Sequence, residues 1–260
     1  MPHTKEILTL AVEIADQMLR NGAEIYRIED TVIMILQSHE IDNFDVYVLS
    51  NGIFASANEN KEDACSMIRH VPLGSVNLEK IAALNQLARD LCSGECTLEE
   101  AWERLQRCKK LPSFPIALQI ICCGIGCACF SYLFGGRLFD ALMAFFVGSL
   151  EKIFLLFCEK RKFSRIMQNI FTSMLITVFS IILYFTGLPL HPDKIIIGSL
   201  MPLVPGIAFT TSIRDLYNGD YLSGSIHLID ALLTALCVAA GACLPLLAFE
   251  YVSGGVLLWK

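Results

Sequence analysis

The chain has 260 residues, 54% of them hydrophobic and 18% charged, with a net charge of −6. A soluble domain usually carries about 25% charged residues, and the deficit is uneven: residues 1–112 hold eleven basic and eighteen acidic residues, whereas beyond Pro112 long stretches have no charge. The acidic first half excludes a nucleic-acid-binding face, which needs a basic patch, and the apolar second half excludes a wholly soluble protein.

Glu6, Glu13 and Asp16 stand where a signal peptide would be apolar, so none is expected. Ile7, Ala11, Ile14 and Met18 recur at helical spacing, and Asn21-Gly22 supplies a stop. Ile25, Ile28, Val32 and Ile35 predict a second helix. Phe44, Val46 and Val48 alternate before Asn51-Gly52, and Ile53 and Ala55 alternate after it, which predicts a hairpin with an Asn-Gly loop. A third strand is predicted over 66–71, closed by Pro72. Two helices follow over 78–91 and 97–109. Residues 1–112 are thus expected to form a small cytoplasmic α+β domain.

A membrane-crossing helix needs about 20 mostly apolar residues. Residues 113–260 offer five such runs, at about 115–134, 138–158, 166–187, 195–213 and 226–249. The expected fold class is membrane α-helical, with five transmembrane helices preceded by the α+β domain. Glu151 and Lys152 interrupt the second run, a costly pair unless it lies near an interface. Lys160, Arg161, Lys162 and Arg165 crowd the loop between the second and third runs, and Arg107, Lys109 and Lys110 precede the first. Positive charge marks the cytoplasmic side. The N-terminus is therefore expected in the cytoplasm, the 214–225 loop on the same side and the C-terminus outside.

The chain has 11 cysteines; Cys122, Cys123, Cys127 and Cys129 share the first apolar run. Without a CxxC pair or polar support, they are read as small packing residues rather than metal ligands. No metal or other cofactor is expected. No P-loop, HExxH, GxSxG or GxGxxG occurs in a suitable context, so the chain is not expected to be an enzyme.

The fourth run contains "MPLVPGIAFTTSIRDLYNGD". Proline removes a backbone donor and clashes with the preceding turn, so Pro202, Pro205 and Gly206 predict a broken helix. Broken spans at membrane depth persist where protein or a cavity satisfies them, and transporters use them to hold charged substrate groups. Pro202, Pro205, Gly206, Thr210, Thr211, Ser212, Arg214 and Asp215 are the expected substrate-binding and translocation residues. Arg214 would pair a substrate carboxylate through its planar fork, with Asp215 competing for it as a gate or proton carrier. Asp220 is read as a turn residue. Asp230 and Asp140 each begin an apolar run, where a helix dipole favours an acid, and are the expected proton-coupling residues. Glu24, Arg27 and Asp30 recur at helical spacing and form a candidate cytoplasmic docking face.

"NGAEIYRIEDTV", "MPLVPGIAFTTSIRDLYNGDYLSG" and "DALLTALCVAAGA", in this order and spacing, resemble the threonine/serine exporter family over essentially the full length. The chain looks like that family's N-terminal part as a stand-alone subunit. The resemblance implies an ion-gradient-driven, two-component exporter of small hydrophilic metabolites in the bacterial inner membrane, with threonine, serine or a dicarboxylate such as succinate as cargo. It implies the lipid bilayer, a small-molecule substrate and a second, smaller membrane subunit as partners, and leaves a homo-oligomer open. The alternative is a membrane-anchored sensor or assembly subunit whose cytoplasmic domain binds a ligand or partner.

Overall fold

The computed structural model describes residues 2–58, 64–72, 74, 76–112, 114–186 and 190–253. The chain is mostly helical, with a small sheet near its N-terminus. It divides into two compact units, Met1–Pro112 with Thr210–His227, and Ser113–Phe209 with Leu228–Lys260. Residues 210–227, assigned from the sequence to the membrane half, group instead with the N-terminal elements.

In the first unit, α1 (Pro2–Arg20) carries Ile7, Leu8, Leu10, Val12, Ile14 and Met18, all fully buried. A single amphipathic stripe would not bury neighbours such as Leu8 and Leu10 together; α1 is covered on several faces. It packs on α2 (Ile25–Ser38), α3 (Leu78–Cys92), α4 (Leu98–Lys109) and the sheet. Each buried Leu or Ile stabilises the unit by about 1.5–3 kcal/mol. Gly22, at φ +79°, turns the chain out of α1, and a Cβ there would also press on Val76. Asn77 caps α3 by accepting from the Lys80 N–H at 3.1 Å. Thr97 and Glu100 form a reciprocal capping box on α4.

The sheet is antiparallel in the order β1 (Phe44–Leu49), β2 (Gly52–Ala57), β3 (Cys65–His70). Its first loop differs from the sequence expectation. Leu49 pairs with Gly52, so the two loop residues are Ser50 and Asn51 rather than Asn51 and Gly52. This register sets Val48 opposite Ile53 and Val46 opposite Ala55. An Asn-Gly loop would have set Ile53 opposite Ser50 and lost that apolar pair.

In the second part of the chain the elements are α5 (Ile116–Leu133), α6 (Leu138–Lys160), α7 (Arg165–Tyr184), α8 (Pro192–Leu200), a 3-10 turn (Met201–Leu203), α9 (Gly206–Tyr217) and α10 (Tyr221–Ser253). α5, α6, α7 and α10 are each long and apolar enough to cross a membrane. The segments Pro192–Leu203 and Gly206–Tyr217 add a fifth crossing if the bent pair is one span. The chain is a multi-pass helical membrane protein. The run read as a single span over 195–213 is therefore two helices, bent by 51°. Val204, the residue before Pro205, is extended at ψ 125°, as a pre-proline residue prefers. α7 closes at Tyr184, and the expected end of the third span at 187 lies outside the described residues. α10 exceeds the expected 226–249 at both ends.

Within the second unit α8 packs against α5, α6 and α7. Small residues set these approaches. A Cβ on Gly198 would come within 2.6 Å of the Ser131 backbone, and one on Gly124 within 2.8 Å of the Phe145 carbonyl. α6 runs unbroken through Glu151 and Lys152, because Glu151 turns inward and is fully buried. Ser173, Thr177 and Ser180 on α7 are buried too, and each hydroxyl donates to the carbonyl four residues earlier.

Candidate functional site

The C-terminal part of α9 and the start of α10 form a corner within the first unit. The Asn218 N–H donates to the Arg214 carbonyl and the Asp220 N–H to the Asp215 carbonyl, both at 2.9 Å. Gly219 lies at φ +94°, the left-handed conformation that ends many helices. The loop expected over 214–225 shrinks to residues 218–220. Gly224 lets α10 close on α9, since a Cβ there would strike Leu216.

On this corner Arg214 meets α2. Its Nη2 lies 2.6 Å from Glu24 Oε1, and its guanidinium carbon 5.2 Å from the centre of the Tyr26 ring. Glu24 is the N-cap residue of α2 but makes no side-chain capping bond, which leaves its carboxylate for Arg214. Burial pushes the Glu24 carboxyl up, but the bonds from Arg214 and Tyr26 and the charges of Arg214 and Arg27 outweigh it and hold the group below its ordinary value. Arg27 and Asp30 are exposed, so of the three residues read as one docking face only Glu24 turns to α9.

Asp215 reaches a different partner from Arg214. It is nearly fully buried, and its Oδ2 lies 3.6 Å from His227 Nδ1 on α10. Successive residues of a helix point about 100° apart, so the two neighbours reach different partners. Glu29, one helical turn beyond Glu24–Tyr26, is half-buried; burial pushes its carboxyl up despite a bond from the Val48 backbone, and the charges of Asp220 and Asp30 add to this. Ser212 is fully buried, Thr211 half-buried and Thr210 exposed. In the break itself Pro202 and Gly206 are exposed and Pro205 half-buried.

The two expected proton carriers occupy unlike places. Asp140, fully buried in the first turn of α6, accepts the Arg137 N–H at 2.7 Å and the His191 N–H at 2.8 Å, with the His191 ring nitrogen at 2.9 Å. It ties the start of α6 to the start of α8. Asp230 is exposed. It lies nine residues inside α10, which begins at Tyr221, so the helix dipole expected to favour it acts only on the first turn and does not reach it.

Sequence reasoning missed Glu151 as a site residue, having met it only as an interruption. Sγ of Cys123, Sγ of Cys127 and a carboxylate oxygen of Glu151 lie within 4.8 Å of one another. Three such groups fall one short of the closed tetrahedral set of a structural zinc site, and we assign no metal to them. The available signal was the placement of a carboxylate in the middle of an apolar run.

The sequence model of the family described as "Putative threonine/serine exporter" matches residues 9–248. The chain is 20% identical over 238 residues to the "Probable succinate transporter subunit YjjP" of Klebsiella aerogenes, covering 91% of this chain and 92% of that one. It is 21% identical over 252 residues to the "Probable threonine/serine exporter" of Mycobacterium tuberculosis, covering 94% of this chain and 46% of that protein. The chain thus spans under half the length of the second relative. No solved structure matches it.

Proposed function

Because the chain belongs to the threonine/serine exporter family, we propose that it is one subunit of an inner-membrane exporter of small carboxylate-bearing metabolites. The cargo is threonine, serine or a dicarboxylate such as succinate, moved by an ion gradient. The subunit works with a second, smaller membrane subunit; the relative of matching length is itself named a subunit. The N-terminal unit faces the cytoplasm, following the basic residues at 107–110 and 160–165.

The observation that carries this reading is the broken span, with a 51° bend between Pro192–Leu203 and Gly206–Tyr217. A broken span brings a helix N-terminus into the membrane, where it favours an anionic group. Thr210, Thr211 and Ser212 line the helix that follows and supply hydroxyls. Arg214 ends it with a carboxylate already in place: Glu24 occupies the guanidinium as a cargo carboxylate would. Cargo entering from the cytoplasm displaces Glu24, and Asp215 with His227 responds to that exchange.

Counterflow of labelled serine, threonine and succinate in proteoliposomes, with and without the second subunit, tests the proposal. Saturable counterflow of one of them with both subunits present is the expected result. No counterflow of any of the three would favour the sensor or assembly subunit.

A further inference from the structure

Among the carboxylates in the helices of the second part of the chain, Asp140, Glu151 and Asp230 differ in what surrounds them. Asp140 has both oxygens engaged by donors that fix two helix starts. Asp230 is exposed. Glu151 is fully buried and almost without donors. Its Oε2 lies 3.7 Å from Cys127 Sγ, a weak donor, and its Oε1 has no hydrogen-bond partner.

The surroundings of Glu151 come from α5, α6 and α8. The titratable groups acting on it are Cys123 and Cys127 on α5 and Lys152, half-buried, beside it on α6. From α8, the Ser199 carbonyl lies 3.9 Å from the same Cys127 thiol, and the buried Ser199 hydroxyl has no partner. The buried polar residues of α7, which also packs on α6, are the hydroxyls of Thr172, Ser173, Thr177 and Ser180. An ionised carboxylate so placed is strongly disfavoured, because one thiol cannot replace its hydration.

Ser199 stands two residues before the 3-10 turn that opens the break. A rearrangement of the break that shifts α8 also shifts Ser199, one of the polar neighbours of Glu151 and Cys127. A buried carboxyl beside a hinged half-helix gains and loses its proton as the hinge changes its access to water. We propose that Glu151 is the proton-carrying carboxyl that couples the gradient to transport. An O–H bond forms on Glu151 when the pocket opens to the acidic side. That bond breaks, and the proton passes to water, when the pocket opens to the other side. The proposal rests on the transporter reading and adds the coupling ion and its site.

The test uses the complete two-subunit protein in proteoliposomes, with labelled serine, threonine and succinate. Glu151→Gln mimics the protonated group in shape. It is expected to keep counterflow, which needs no proton release, and to lose accumulation driven by an imposed pH gradient by about tenfold or more, with Glu151→Asp restoring part of it. Gradient-driven accumulation at the wild-type level in Glu151→Gln would overturn the proposal, and so would an equal loss of counterflow, which marks a structural or cargo-binding role. A second readout does not depend on transport. The infrared spectrum of the wild type at neutral pH, minus that of Glu151→Gln, should show a protonated-carboxyl stretch. A wild type without that band overturns the proton site even where counterflow succeeds. A band without any counterflow upholds the site and sinks the transporter reading instead.

Discussion

Arg214 and Glu24 lie in distant parts of the chain and 2.6 Å apart in the fold. The pair joins the two segments that carry the family resemblance, "NGAEIYRIED" and "SIRDLYNGD". Arg214 also lies over the Tyr26 ring, so two residues at the start of α2 bear on one guanidinium.

If Arg214 hands over from Glu24 to cargo, its fork matters more than its charge. Arg214→Lys should lower transport by about tenfold or more while leaving the protein inserted, since a lysine offers a point charge without paired donors. Because Glu24 and Arg214 touch, the double variant Glu24→Ala/Arg214→Ala should lose less than the combined single losses. Both side chains are partly exposed, so the pair itself should add only about 0.2–1 kcal/mol to stability. Transport rates and a double-mutant cycle measure this.

The same pair predicts a pH dependence. Glu24 is held below its ordinary 4.5 in the fold. Its contribution is therefore whole above that value and is lost as pH falls through the lowered one. The protection factors of amides in Gly206–Tyr217, taken against intrinsic exchange at each pH, should fall on acidification below pH 4.5 in the wild type and stay level over that range in Glu24→Gln.

The break depends on prolines. Pro202→Ala/Pro205→Ala restores two backbone donors and removes the ring clash, so it should straighten the 51° bend. Spin labels placed on α8 and α9 should report a longer separation, and counterflow should fall by about tenfold or more. Unchanged counterflow with a straightened helix would separate the break from the cargo route.

Gly198 sets how closely α8 meets α5. Gly198→Val should force the helices apart and cost about 1–3 kcal/mol. A lower melting temperature in detergent checks it. Gly126, which has nothing within 4 Å of where a Cβ would stand, is the control: Gly126→Ala should leave the melting temperature unchanged or raise it slightly.

Much of the architecture was legible residue by residue. Ile7, Ile14 and Met18 announced α1, and four long apolar runs the helices α5, α6, α7 and α10. The hairpin was legible but its loop lay one residue out, because apolar pairing of Val48 with Ile53 outweighed the local preference of Asn-Gly. The fourth run was read as interrupted, and the structure splits it into two helices.

The sequence by itself determined which stretches are charged and which apolar, that most of the helices exist, and that Pro202 and Pro205 break one of them. These are local matters of hydrophobic period, missing donors and ring clash, settled within a few neighbouring residues. Only the tertiary structure decided that Arg214 meets Glu24 rather than Asp215, that Asp140 is bound by His191, and that Glu151 faces inward beside Cys127. Those partners lie on different helices, and which side chains meet there depends on how the helices rotate and close on their glycines, information no single segment contains.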